Sequence, residues 1–272
     1  MIPEHPLSLV TGASSGIGAA FAEALAARGH DLVLTARRAD RMHALAARLH
    51  QQYGCTPTVL PVDLSTDAAP QHLHEALLER GLHVDWLINN AGYGVPGGFI
   101  ANAWPIHAQF LQVLVTAPIE LAWRLLPGMR ERGYGRIVNV ASLAGLVPGT
   151  AGHTLYAPAK AMLIKFSEGL ALENRGHGVN VCALCPGFTR TEFHDVTGTR
   201  TVMNRLPGFA WQTAEAVARE GIAAVERGAP VHVSGRVNRV IKTVFKLLPD
   251  RLAFRLSARE AKRYRSADGA QP

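Results

Sequence analysis

The stretch Leu7-Ser8-Leu9-Val10-Thr11-Gly12-Ala13-Ser14-Ser15-Gly16-Ile17-Gly18-Ala19-Ala20-Phe21 decides the fold. It opens as an apolar run, Leu7 to Val10, turns at glycines spaced GxxxGxG, and continues as an Ala-rich helical pattern, Ile17 to Arg28, that Gly29 closes. Glycine lets a backbone turn sharply and come close to a pyrophosphate, and the helix N-terminus beyond it offers free N–H groups and partial positive charge. The loop is therefore expected to hold a dinucleotide through Gly12, Ser14, Ser15, Gly16, Ile17 and Gly18. Gly12, Ser14 and Gly16 also fit G-x-S-x-G, the nucleophile elbow of α/β-hydrolases, but that elbow follows several strands and this one follows the first.

The alternation continues outward from the loop. Asp31 to Thr35, Thr58 to Val62, Trp86 to Asn89, Arg136 to Ala141, Val179 to Leu184 and Val231 to Val233 read as strands. Asp40 to Tyr53, Pro70 to Arg80, Trp104 to Arg132, Tyr156 to Asn174 and Thr213 to Arg227 read as helices. Short apolar strands without polar alternation, each followed by an amphipathic helix, form a parallel sheet covered on both faces. The expected class is α/β, a doubly wound parallel sheet of Rossmann type, with its ligand crevice beyond the carboxyl ends of the strands where strand order reverses. Glu192 to Trp211, rich in Thr, Gly and Arg, resists assignment and is expected to be a mobile flap over that crevice.

The chain has 272 residues, 48% hydrophobic and 18% charged, enough for a sizeable core and too apolar for intrinsic disorder. The net charge of +7 is uneven: residues 1–235 carry 18 Lys+Arg against 18 Asp+Glu, and residues 236–272 carry 10 against 3. The basic balance thus belongs to the tail, and the body shows no cationic cluster interleaved with aromatics to grip a nucleic acid. We read one dinucleotide-binding and catalytic domain over 1–235 and a basic amphipathic helical extension over 236–272. Three cysteines cannot build a disulfide framework and the first residues do not resemble a secretory leader, so the expected setting is cytoplasmic. Gln112, Glu120 and Arg124 interrupt the longest apolar stretch, Phe110 to Met129, so no spanning helix is expected.

The end of the second strand discriminates between cofactors. A carboxylate there accepts from the adenosine ribose hydroxyls, whereas a guanidinium favours a 2′-phosphate. The chain reads Leu34-Thr35-Ala36-Arg37-Arg38, so Arg37 and Arg38 favour NADP(H) over NAD(H). On the later helix, Tyr156 and Lys160 are four apart and share a face. An ammonium so close is expected to favour the phenolate and lower the phenol's pKa.

Thr11 to Gly18, Val62-Asp63-Leu64, Asn89-Asn90-Ala91-Gly92, Ser142, Tyr156-x-x-x-Lys160 and Pro186-Gly187 together resemble the short-chain dehydrogenase/reductase family, in the right order over residues 7–191. The resemblance implies a carbonyl/alcohol oxidoreductase in which Tyr156 is the acid/base, Lys160 binds the nicotinamide ribose and Ser142 hydrogen-bonds the substrate oxygen. It implies further cofactor contacts at Asp63 and Leu64 near the adenine and at Asn90, Ala91 and Gly92 along the adenosine ribose. Pro186, Gly187, Thr189 and Thr191 fall near the nicotinamide amide. It also implies a homodimer or homotetramer. One departure stands out: family members usually carry an asparagine, thought to help hold a relay water, where this chain has Leu114. Leucine can neither donate nor accept, so the relay is in doubt and a slower enzyme is expected. The competing expectation, motivated by Leu114, is a nucleotide-binding sensor or scaffold with little turnover.

Cys182 and Cys185 are three apart on a strand, so they point to opposite faces and are expected to be buried thiols rather than ligands; the histidines show no metal-ligand spacing. In the tail, Val237, Val240, Ile241, Val244, Phe245 and Leu248 recur at helical spacing opposite Arg236, Arg239, Lys242 and Lys246, and a second basic helix follows Pro249 with Arg251, Arg255, Arg259 and Lys262. Such a helix packs on the body or a partner subunit, or lies on an anionic bilayer. The substrate is expected to be hydrophobic, because Phe188, Phe193, Leu206, Phe209 and Trp211 fall near the entrance.

Overall fold

The computed structural model describes residues 3–192, 208 and 211–258. Among them, seven strands form one parallel sheet in the order β3-β2-β1-β4-β5-β6-β9. The strands are β1 (Leu7–Thr11), β2 (Asp31–Thr35), β3 (Thr58–Val59), β4 (Trp86–Asn89), β5 (Gly135–Val140), β6 (Val179–Cys185) and β9 (Val231–Val233). A separate parallel pair, β7 (Thr189–Arg190) and β8 (Gln212–Thr213), closes the ends of the segment between them. Helices α1 (Gly16–Ala26), α2 (Ala39–Tyr53), α3 (Ala69–Glu79), α4 (Trp104–Leu111), α5 (Ala117–Glu131), α6 (Tyr156–Glu173), α7 (Ala214–Glu226) and α8 (Arg236–Leu247) complete the fold, and residues 250–258 are again helical.

Strand periodicity divides the core. Leu9, Val33, Leu87, Ile137 and Val181 face the layer of α3, α5 and α6, while Val10, Leu34, Ile88, Val138 and Cys182 face α1, α2 and α7. All ten side chains are buried, which is why these strands read as unbroken apolar runs. Cys185 lies in a third cluster with Ala183 and Val233, so the two thiols do separate, and burial pushes each up to about 12. The crossover from β3 back to β4 makes β1 and β4 the neighbours at which strand order reverses, and the loops that follow them form the crevice.

The long helix expected over 104–132 is one helical stretch with a π turn, Gln112–Thr116, between α4 and α5. Ala117 N donates to Gln112 O across five residues, and Pro118 has no N–H to give to Leu114 O, which is the local reason the α ladder breaks here. Trp104–Glu131 is long and apolar enough to cross a membrane by composition, yet 56% of its most apolar window is buried inside the fold.

Candidate active site

At the β1 turn, Gly12 and Gly16 take φ of +66° and +58°. A side chain at Gly12 would strike Asn90 Nδ2 at 2.8 Å and Ala91 Cα at 2.9 Å, and one at Gly18 would strike Gly12 O. Glycine is therefore required by space as well as by φ. Ser15 caps α1 without a side-chain hydrogen bond, so its hydroxyl does not occupy the first-turn N–H groups. This cradle at a helix N-terminus fits a pyrophosphate. Thr11 fixes its far wall: its Oγ1 donates to Ile88 O at 3.2 Å and accepts from Asn90 N at 2.9 Å and Ala91 N at 3.0 Å. Asn90 Nδ2 donates to Thr11 O at 2.9 Å, so its side chain ties the two strand ends together.

At the end of β2 the arginines diverge. Arg38 Nη2 donates to Ser14 Oγ at 3.0 Å and Ser15 Oγ at 2.9 Å, so the serine of the hydrolase-like motif is bound to a guanidinium. Arg37 lies on the other side, near enough for its charge to oppose the rise that burial causes in the Tyr93 phenol. Arg41, one turn into α2, joins Arg38 on the Glu192 carboxylate. Asp63 Oδ1 accepts from Ser65 N at 3.0 Å, and Leu64 is buried in the core.

The remaining residues meet at the other end of the crevice. Ser142 stands two residues beyond the end of β5 and accepts from Ala144 N at 3.1 Å, which fixes its hydroxyl. The turn that follows, Leu143–Leu146, lies directly on α6, since a side chain at Gly145 would meet Ala161 N at 2.7 Å. That contact brings Ser142 into hydrogen-bonding reach of the half-buried Tyr156 hydroxyl. Lys160, one turn further, is 5% exposed; its Nζ donates to Val140 O at 2.8 Å and sits 5.8 Å from the Tyr156 ring centre. Burial lowers the Lys160 ammonium to about 8. Burial raises the Tyr156 phenol, and the Ser142 hydrogen bond opposes that rise. The expected lowering of the phenol by Lys160 is not found: the buried ammonium is directed at a main-chain carbonyl, and desolvation outweighs it. Beneath the site, Asn89 Nδ2 donates to Asn139 Oδ1 at 2.9 Å and to Pro118 O at 3.0 Å, and Asn139 Nδ2 donates to Ser167 Oγ at 2.9 Å, linking β4, β5, α5 and α6.

A small cavity of about 10 Å³ lies beside Tyr156, lined by Val95, Phe99, His107, Phe110, His153 and Leu155. His107 stacks on Phe99 at 4.9 Å between ring centres and its Nε2 meets Phe99 O at 2.8 Å, so the wall it presents is ring rather than free donor. Phe188 and Trp211 pack on each other with ring centres 5.9 Å apart. Phe193, Leu206 and Phe209, and the flap expected over the crevice, lie outside the described residues apart from Glu192, Gly208 and Trp211. Gly187 is held against α8, where a side chain would overlap the buried Asn238 amide. The sequence reading missed Thr11, Arg41, Gly145 and Glu192. Arg41 alone left a signal, standing three residues after Arg38 on the same helical face.

The model of the short chain dehydrogenase family matches residues 7–200. The chain belongs to that family. The short-chain dehydrogenase is 30% identical over 264 residues to the very-long-chain 3-oxoacyl-CoA reductase of Anas platyrhynchos, covering 95% of this chain and 81% of the relative. Among solved structures it resembles a short-chain dehydrogenase from Sphingobium yanoikuyae in complex with NADPH, at 32% identity and a TM-score of 0.78, covering 90% of this chain and 97% of that one. It also resembles the bulky-bulky ketone specific alcohol dehydrogenase from Comamonas testosteroni, at 29% identity and a TM-score of 0.74 over 91% and 96% of the two chains. The protein is thus an oxidoreductase that uses a nicotinamide dinucleotide and acts on the CH–OH or carbonyl group of a small molecule.

Proposed function

We propose that the protein is an NADP(H)-dependent reductase of hydrophobic ketones, with Ser142, Tyr156 and Lys160 as its catalytic residues. The observation that carries the reading is the Ser142 hydroxyl set within reach of the Tyr156 phenol, with the buried Lys160 one turn further along α6. With its pyrophosphate held in the glycine cradle, a bound nicotinamide dinucleotide would supply the hydride. Tyr156, kept neutral by its burial, donates its proton to the substrate oxygen, and Ser142, oriented by Ala144 N–H, polarises the same C=O. Lys160 supplies positive charge beneath the phenol as the proton leaves. Arg38, Ser14 and Ser15 form the donor set for a 2′-phosphate, and the structural relative bound to NADPH supports that choice. Phe99, on the cavity wall, and its chain neighbour Ile100 are exposed, and the relatives named for a very-long-chain acyl-CoA and a bulky ketone support a large hydrophobic substrate.

The test is NADPH oxidation by the purified protein with a panel of aliphatic, aromatic and steroid ketones and 3-oxoacyl thioesters. Turnover on the apolar members and none with Tyr156→Phe is expected. Cofactor binding with no turnover on any member would leave a sensor or scaffold.

A second surface supports contact with an anionic bilayer. On α8 the body covers Asn238 and half-buries Ile241 and Phe245, but Val240, Val244 and Leu247, on one stripe at i, i+4 and i+7, are exposed beside Arg236, Arg239 and Lys246. Phe254, exposed near Arg251 and Arg255, extends the surface. Sedimentation with vesicles containing anionic lipid, lost in Leu247→Asp, is expected; equal pelleting of wild type and variant removes this reading. Exposed Trp123 on α5 and Met162 on α6 border an apolar hollow with Ile119 and with Val115 of the π turn, the face we propose for a homo-oligomer. The free thiols Cys55, Cys182 and Cys185 suit the cytoplasmic setting that we propose.

A further inference from the structure

The donor set at the adenosine end already holds an acid. Arg38 Nη1 donates to Glu192 Oε2 at 3.1 Å, while Arg41 Nη1 reaches Oε1 at 2.6 Å and Oε2 at 2.8 Å. Arg38 spends its other nitrogens on the Ser14 and Ser15 hydroxyls. Two guanidinium groups thus converge on one small anion, with two hydroxyls on the other edge of Arg38, and the anion is a carboxylate from more than 150 residues further along the chain. The preceding residue is equally placed: a side chain at Gly16 would meet Thr191 Cβ at 3.1 Å, so Thr191 stands over the glycine cradle while Glu192 spans to the arginines. The two arginines also hold the Glu192 carboxyl below the usual carboxylate range, so it is anionic at neutral pH.

A carboxylate and a 2′-phosphate cannot share these donors. We propose that Glu192 is an internal competitor for the 2′-phosphate subsite and a determinant of cofactor choice. This deepens the NADP(H) reading and rests on it. With NAD(H), Glu192 stays on Arg38 and Arg41 and neutralises them beside a ribose that carries no phosphate. With NADP(H), the more highly charged phosphate takes the donors and Glu192 is released to water. The exchange is inexpensive because it happens near the surface: the side chains of Arg38, Arg41 and Glu192 are 42%, 44% and 44% exposed. Exposed ion pairs are individually weak and screened by salt, so the competitor trims phosphate affinity without abolishing it.

The experiment is calorimetric titration of the full chain with adenosine 2′,5′-bisphosphate and with 5′-AMP, probes that differ at the 2′ position and carry no nicotinamide. Wild type, Glu192→Gln, Glu192→Asp and Arg38→Ala are compared, each checked by circular dichroism and thermal melting. Glu192→Gln is expected to bind the bisphosphate about fivefold tighter, with 5′-AMP unchanged within twofold and the gain shrinking in 0.5 M salt. Glu192→Asp, which keeps the charge on a shorter arm, is expected to fall between wild type and Gln. Unchanged bisphosphate affinity in Glu192→Gln overturns the proposal, and weaker affinity overturns it in favour of a clasp that closes over bound phosphate. If Arg38→Ala abolishes the bisphosphate preference while Glu192→Gln leaves it untouched, only the competitor is lost and the NADP(H) reading stands. If wild type shows no preference for the bisphosphate at all, both fall together.

Discussion

The two ends of the crevice use opposite electrostatics. At the catalytic end, Lys160 is almost fully buried and Tyr156 half-buried, so desolvation dominates and holds both nearer to neutrality than free side chains. At the adenosine end, Arg38, Arg41 and Glu192 are exposed, fully charged and paired with one another. The first arrangement tunes proton transfer and tolerates little change; the second tunes binding and exchanges partners readily. Substitutions at the catalytic end should therefore act on turnover, and those at the arginine end on cofactor affinity.

The sharpest test of that division is Tyr156→Phe. Removing the proton donor while keeping the ring is expected to lower kcat for ketone reduction about 10³-fold, with the dissociation constant for NADPH, measured by nicotinamide fluorescence, within about threefold of wild type. A comparable loss of cofactor affinity would break the contrast. Arg38→Ala is the converse: an NADPH affinity about 10- to 50-fold weaker, NADH affinity little changed, and kcat at saturating cofactor preserved. Equal weakening toward both cofactors would show that Arg38 serves the loop rather than a phosphate.

The pH dependence follows from Lys160. With its ammonium lowered to about 8, reduction is expected to be level below that pH and to fall about tenfold per unit above it, as the charge beneath Tyr156 is lost. Lys160→Arg, whose guanidinium stays charged, should remove the falling limb in whatever activity it retains. Stability carries the opposite sign. The folded protein binds fewer protons than the unfolded chain between about 8 and 10.5, so resistance to urea rises with pH across that window, and Lys160→Met should flatten the rise. A flat rate profile through pH 9 would mean that the cation is not part of proton transfer.

The sheet was legible because burial on both faces writes strands as apolar runs, and β2, β4 and β9 end at the residues where those runs end. β3 proved shorter than its apolar run, although Leu60 N and Val62 N still reach Leu34 O and Ala36 O at 2.9 and 3.1 Å. That Ser142, Tyr156 and Lys160 come together was legible through type and spacing, but their electrostatics were not, since the direction of Lys160 Nζ depends on where β5 ends. Glu192 on Arg38 and Arg41 could not be read at all: a pairing across more than 150 residues has no local period. The tail misled in part. Its helical period was sound, yet the period does not say which apolar residues the body covers, and Val240 and Val244 remain outside.

Leu114 tests how much of the site is side chain and how much is backbone. It is 1% exposed and lies against Gly92, in a π turn that packs on the helix carrying Lys160. Restoring the family's asparagine there would place an amide in an apolar setting, where a buried polar group without partners costs about 1–3 kcal/mol. At Leu114 the only polar atoms are main-chain ones, and Pro118 has no N–H to give to Leu114 O in the α ladder. If that carbonyl already does the work of holding a relay water, Leu114→Asn should change kcat by no more than about threefold and lower Tm by several degrees. Pro118→Ala, which returns the missing N–H to the ladder, should slow turnover more than Leu114→Asn does. A large gain in kcat from Leu114→Asn with Pro118→Ala silent would show instead that the leucine leaves the relay broken and that the backbone does not repair it.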